Sequence, residues 1–182
     1  MLKKSDGGAL IELAIILPLL LLLVLGVFEY GRAIHAKNII TNMSREGANL
    51  ASRSKSTAQQ IMDAIALTAQ PLDMTANGMI FITEVRGQGA DPRVTAQHRW
   101  TGGSYETSSR AWSGCPNIDW SVDGECTEDF DNLSDNDAEA DLNGLEVQDG
   151  QVVFAVEVFY DYKPIITYVL NHNLNLYSQA IF

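Results

Sequence analysis

The sequence predicts an α+β fold: a long N-terminal helix with a membrane-spanning half and an amphipathic half, a second helix, and a four-stranded antiparallel sheet. Three observations carry that expectation. Residues Ala9–Phe28 form a twenty-residue apolar run with one charge, Glu12. Helical spacing continues past it to about Ala51, and a second helical segment follows "SRSKST". Beyond Pro71 come four strand-like segments, one of which alternates clearly.

The apolar run comes first. At 1.5 Å rise per residue, twenty residues cover about 30 Å, the thickness of a bilayer's hydrocarbon core. Lys3 and Lys4 precede it, which places the N-terminus in the cytoplasm and the bulk of the chain outside. The run exceeds the roughly 7–15 residues of a secretory leader and continues into "FEYGR" with no A-x-A cleavage pattern, so it is expected to stay. Pro18 removes one helical hydrogen bond and leaves a soft point, which is useful in a helix that must later repack.

Glu12 needs explaining. A carboxylate in a membrane helix costs about 2.5–3.5 kcal/mol, and such residues usually mark function. One reading puts Glu12 near the membrane surface, reaching for water. The other needs a cation to meet it, and the preceding Gly7–Gly8 pair supplies one. If the chain is cut between them, Glu12 becomes the fifth residue behind a new α-amine. Stacked helices with a small axial offset then bring the amine of one subunit to the Glu12 of the next.

After Arg32 the pattern turns mixed, with Ile34, Lys37, Ile40, Met43 and Gly47 at helical spacing. Thr57-x-x-Gln60 reads as a capping box that opens a second helix through about Ala69, with Ile61, Ala64, Ile65 and Thr68 on one face. Pro71 ends it. "MIFITEV" (79–85) and "RVTAQHRW" (93–100) read as a hairpin. "QVVFAVEVFYDY" sets Val152, Phe154, Val156, Val158, Tyr160 and Tyr162 on one face, and "NLNLYSQAIF" closes the chain as a fourth strand. An antiparallel sheet packed on the exposed half of the long helix follows.

The formal charge of −11 is local. Cys115–Gly150 holds twelve Asp and Glu and no Lys or Arg, and the remainder is nearly neutral. That excludes nucleic acid as a partner, since phosphate binding needs a basic face. Residues 101–150 form an irregular insert with Trp112, Trp120 and both cysteines. Cys115 and Cys126 read as a disulfide pinning its base, with two free thiols as the alternative. A zinc site lacks a second Cys pair, and His35, His98 and His172 show no ligand spacing.

Asp135, Asp137, Glu139 and Asp141 alternate, and Glu146 is twelfth from Asp135, which is EF-hand-like spacing for calcium. However, Ala140 stands where that loop needs Gly, and a solvated acidic loop is the competing reading. No other cofactor is expected. No G-x-S-x-G, H-E-x-x-H, P-loop or Cys–His pairing appears, so no enzyme is expected. Trp100, Tyr105, Trp112 and Trp120 either stack on sugars or surfaces, or pack the insert onto the sheet.

The basic leader, Gly7, Glu12 at the fifth position and the apolar run together resemble a type IV pilin precursor. "ELAIILPLLLLLVLGVFEYGRAIHAKNIITNMSREGANLA" is similar to the N-terminal signature of the TadE-like minor pilins of tight-adherence (Flp-type) pili. The likeness is carried by Glu12, Pro18 with its Leu run, Phe28-Glu29-Tyr30-Gly31-Arg32, Asn42 and Arg45-Glu46-Gly47-Ala48. "VVFAVEVFYDYKPII" resembles that family's late strand. Leu13 departs from the aromatic residue often found after the Glu, Asn49 from the usual Arg, and residues 101–150 match nothing in the pattern.

The resemblance implies a pilin-like architecture in three parts: a cleaved cytoplasmic leader (1–7), a transmembrane and assembly helix (8–30) and a periplasmic domain (31–182). Gly7, Gly8 and Glu12 would serve processing by a prepilin peptidase, and Glu12, Pro18 and Gly26 the assembly helix. Partners would be the inner membrane, other pilins and the pilus assembly machinery. The chain would be periplasmic and then extracellular, priming or joining a pilus for attachment, with the insert as a contact surface. The alternative is a permanently anchored binding module whose Trp-rich acidic insert recognises a ligand or partner.

Overall fold

The computed structural model describes residues 6–88, 91–115, 120–166 and 172–182. Lys3 and Lys4, on which the expected orientation rests, lie outside them.

Helix α1 runs from Asp6 to Arg53. Its 48 residues extend about 72 Å, and it passes through Pro18 without a break. Only the second half touches the rest of the chain. There Glu29, Ala33, Ala36, Ile40, Met43 and Gly47 are buried in a line of i+4 and i+3 steps. Of the expected line, Ile40, Met43 and Gly47 are buried, but at its start Ala33 and Ala36 are buried in place of Ile34 and Lys37, which are exposed. Close approach explains the shift. A Cβ on Gly47 would stand 2.9 Å from both Ile65 Cδ1 and Val156 Cγ1. The helix lies so near the sheet that small residues, Ala33 and Ala36, must continue that line.

Helix α2 (Ala58–Leu67) opens with the expected capping box. Gln60 N donates to Thr57 Oγ1 at 3.3 Å, and Thr57 N to Gln60 Oε1 at 3.1 Å. Its buried residues are Ile61, Met62 and Ile65, while Ala64 and Thr68 face outward. One further turn, α3 (Met74–Asn77), leads into the sheet.

The sheet contains β1 (Gly78–Gln88), β2 (Asp91–Arg99), β3 (Val152–Tyr162) and β4 (Leu174–Ile181), in the order β2-β1-β3-β4 and antiparallel throughout. Ile80 pairs with Val158 and Ile82 with Val156, and these apolar pairs face the helices. α1 packs across β3 and β4, and Ser44 Oγ meets Ser178 Oγ at 3.0 Å.

The opposite face is also covered. Val85, Val94 and Val153 join Ala111, Trp112, Ala140, Leu142 and Val147 of the insert in a second core. The molecule thus has three layers: helices, sheet and insert. Burial on both faces accounts for the nearly unbroken apolar run of β3. Within the insert the described backbone forms isolated bridges and one short helix, α4 (Asp135–Ala138).

Candidate functional site

The outstanding feature is the first half of α1. Every large apolar side chain from Leu10 to Val24 is 48–70% exposed. This is the one helix among the described residues that is long and apolar enough to cross a membrane, with a mean hydropathy of 2.9 over its most apolar 18 residues. Fifteen Leu, Ile, Val and Phe residues lie between Leu10 and Phe28. At about 0.3–0.6 kcal/mol each they favour insertion by about 5–9 kcal/mol, against about 3 kcal/mol opposing it at a central carboxylate. The helix therefore tolerates Glu12 in a membrane, and the apolar run fits membrane anchoring.

Gly7 and Gly8 lie in the first turns of α1, and a Cβ on Gly8 would touch nothing within 4 Å. Glu12 follows four residues later, about 6 Å along the axis, and is exposed. Pro18 is exposed and Gly26 half-buried. All five are on one continuous helix whose far half is fixed to the sheet.

Glu29 is the first fully buried residue described on the helix. Its carboxylate accepts hydrogen bonds from Tyr162 Oη at 2.5 Å, from the backbone N–H of Ile165 at 3.4 Å and of Ile166 at 3.3 Å, and from Arg32 Nη1 at 3.1 Å. The Arg32 guanidinium also stands over the Tyr162 ring, 5.7 Å from its centroid. Burial, then the bond to Glu29, push the Tyr162 phenol up to about 12. Glu29 therefore ties the base of the free helix to the end of β3. Sequence reading passed over it as a site, although "FEYGR" and "YDYKP" contain both halves of the contact.

The insert is held by a second buried carboxylate. Glu157, fully buried on β3, accepts from Ser109 Oγ, from Arg110 N at 2.8 Å, from Ala111 N at 3.1 Å and from Tyr177 Oη at 2.9 Å. Burial and this carboxylate push the Tyr177 phenol well above its ordinary range. Gln97 Nε2 donates to Thr83 Oγ1 at 3.0 Å and to the Trp112 carbonyl at 2.9 Å. Irregular chain is thus satisfied by strand side chains rather than by a ladder.

Cys115 and Cys126 form a disulfide, with Cα atoms 6.0 Å apart. The aromatic residues pack the insert and its surroundings. Trp100 Nε1 donates to Asp63 Oδ1 at 2.7 Å, Trp112 Nε1 to the Asp137 carbonyl at 2.7 Å, and Tyr105 Oη meets Asn175 Oδ1 at 3.2 Å.

The acidic run shows local turn chemistry. Asp137 Oδ2 accepts from Ser134 Oγ at 2.6 Å, and Asp141 Oδ1 from Asn143 N at 2.9 Å. Glu139 bridges to Arg93 through backbone, and Glu146 is exposed. Asp135 begins α4. Among the described residues, no three His, Cys, Asp or Glu side chains stand close enough together to hold a metal ion.

The sequence model of the TadE-like protein family matches residues 7–49. The chain carries a TadE-like segment. That segment begins at Gly7, includes Glu12, Pro18 and Glu29, and ends just past the Gly47 contact with the sheet. The TadE-like match associates the chain with Tad pilus systems. The likeness carried by "VVFAVEVFYDYKPII" falls outside the matched residues, yet Tyr162 of that stretch holds Glu29 of the TadE-like segment. No curated protein and no solved structure matches the chain.

Proposed function

We propose that this chain is a minor pilin that primes or joins assembly of a Tad (Flp-type) pilus for surface attachment. One observation carries the reading: the TadE-like segment is a single helix, exposed and apolar save for Glu12 from Leu10 to Val24, and fixed to a folded domain from Glu29 onward. The exposed half serves twice, as an anchor in the inner membrane and then as a surface for packing against other pilin helices. A prepilin peptidase cuts between Gly7 and Gly8. The freed amine of one subunit then meets Glu12 of a neighbour displaced by about 6 Å along the axis, which offsets burial of the carboxylate and fixes the stagger.

The domain from residue 31 onward is periplasmic and later extracellular. Its insert adds a whole layer to the sheet, which favours low copy number or a tip position over a closely repeating shaft. No cofactor and no catalytic step enter this reading. The experiment is Glu12→Ala in cells that make the pilus. Loss of the subunit from sheared filaments, with membrane insertion retained, supports the proposal, and unchanged incorporation overturns it.

A permanently anchored binding module is the second reading, favoured by a pocket of about 590 Å³ between the insert and strands β1 and β2, lined among others by Phe81, Gln97 and Trp120. It requires no processing and no role for Glu12.

A further inference from the structure

Where the exposed half of α1 ends, the helix meets the end of β3 and the turn after α2 across a cavity of about 490 Å³, within the range of small-molecule sites. One face of α1 lines it in helical steps, from Val27 and Phe28 through Gly31 and Arg32 to His35. Lys163, just past β3, also lines it. We propose that this cavity binds the headgroup of an anionic phospholipid, a phosphodiester with one negative charge, at the surface of the membrane that α1 enters.

Depth along the helix supports this place. A bilayer's headgroup layer is about 5–7 Å thick on each side of the hydrocarbon core. Arg32 lies four residues beyond Phe28, the last of the apolar run, which is about 6 Å along the axis. Val27 and Phe28 are exposed and carry the lipid-facing surface of α1 directly into the cavity. Acyl chains lying along that surface bring their phosphate to the level of Arg32.

The cavity is open at Gly31, which is exposed and where a Cβ would meet nothing within 4 Å. On the same helix a Cβ on Gly47 would stand 2.9 Å from Ile65 and Val156. Packing thus requires a small residue at Gly47 but not at Gly31, although glycine is unfavourable in a helix interior. A headgroup can approach the backbone there.

The charges fit a monoanion. Among the described residues Arg32, His35 and Lys163 line the cavity, and no Asp or Glu does. Residues 164–171 contain no Lys, Arg, His, Asp or Glu, so the adjoining segment leaves that balance unchanged. Two carboxylates act on Tyr160 from outside the lining: Asp73 accepts from Thr75 Oγ1 at 2.6 Å, and Asp161 from Asn173 Nδ2 at 2.8 Å. Glu29 bonds Arg32 Nη1 at 3.1 Å, which holds the half-buried guanidinium in place and offsets its charge. The other guanidinium N–H groups stay available as donors. Lys163 then supplies the excess charge. It and His35 are exposed and, among the described residues, make no hydrogen bond or ion pair. One excess positive charge with further donors at Arg32 and His35 matches a phosphodiester, whereas a polyanion needs more cations. The inference requires α1 to span a membrane but neither cleavage at Gly7 nor assembly, so its failure would leave that reading standing.

The test is native mass spectrometry of the full chain in neutral detergent, titrated with dioleoylphosphatidylglycerol or dioleoylphosphatidylcholine. A single phosphatidylglycerol should be retained, about fivefold more tightly than phosphatidylcholine, whose choline cation Lys163 repels. Lys163→Gln combined with His35→Gln should weaken it about fivefold, and Gly31→Leu, which fills the cavity at unchanged charge, by about as much. Both variants change exposed positions and should melt at the wild-type temperature. Arg53→Gln combined with Lys55→Gln, at the far end of α1, should leave the affinity unchanged. Glycerophosphoglycerol, the same diester without acyl chains, should not compete at equal concentration. Equal retention of the two lipids, undiminished affinity in folded Gly31→Leu, an equal loss in the distal pair, or full competition by the chain-free diester would overturn the proposal.

Discussion

Glu29 couples the exposed helix to the folded domain, and its contribution is measurable. Replacing it by Ala removes the acceptor for Tyr162 Oη and for the N–H groups of Ile165 and Ile166, all at a fully buried site. Hydrogen bonds to a charged group contribute about 1.5–3 kcal/mol each when well formed. Only the 2.5 Å bond from Tyr162 is short, and the two backbone bonds, at 3.3 and 3.4 Å, add less. The expected loss for Glu29→Ala is therefore about 3 kcal/mol, and for Tyr162→Phe about 1.5–2 kcal/mol. A double-mutant cycle of Glu29→Gln with Tyr162→Phe isolates the shared term, expected at about 1–2 kcal/mol. The assay is urea unfolding of the full chain in nanodiscs, followed by near-UV circular dichroism. Losses that add to within about 0.3 kcal/mol would show that the two residues do not interact and would sink the account of the helix base.

Three further outcomes follow from the same geometry. Gly47→Leu should lower stability by about 2–3 kcal/mol through overpacking against Ile65 and Val156, and Gly47→Ala by much less, as read from thermal midpoints. Glu157→Gln should loosen the insert specifically: hydrogen exchange at Arg110 and Ala111 should speed up while β1 and β3 amides keep their protection. Because the Tyr162 phenol titrates higher folded than its ordinary value of about 10, its contribution is complete below pH 10 and lost as pH rises toward 12. The thermal midpoint should fall across that window, and less steeply in Tyr162→Phe.

Much of this fold was legible in the sequence because it rests on local rules. The apolar span, the Thr57–Gln60 capping box and the Val- and aromatic-rich run of β3 each announce themselves within a few residues. Ile40, Met43 and Gly47 of the helix stripe were legible, but the burial of Ala33 and Ala36 in place of Ile34 and Lys37 was not. It depends on how closely Gly47 approaches the sheet, which is a tertiary distance. The second core was half legible. Val153 and Ala155 are as apolar as their neighbours, but Glu157, next on the same face, reads as a solvent-facing break. In fact it is the anchor of the insert. Glu29 was missed for the same reason, since a carboxylate on a helix is expected to face water until its donors, more than 130 residues away, are in place. The order within 101–150 has no period to detect, because side chains such as Glu157 and Gln97 satisfy its backbone.

The central claim is that the exposed helix is an assembly surface whose register is set by processing next to Glu12. The most direct measurement is the N-terminal residue of the mature protein, by mass spectrometry of sheared filaments and membranes. The account predicts a chain beginning at Gly8 with Glu12 fifth. An intact Met1 on filament-bound protein would contradict it.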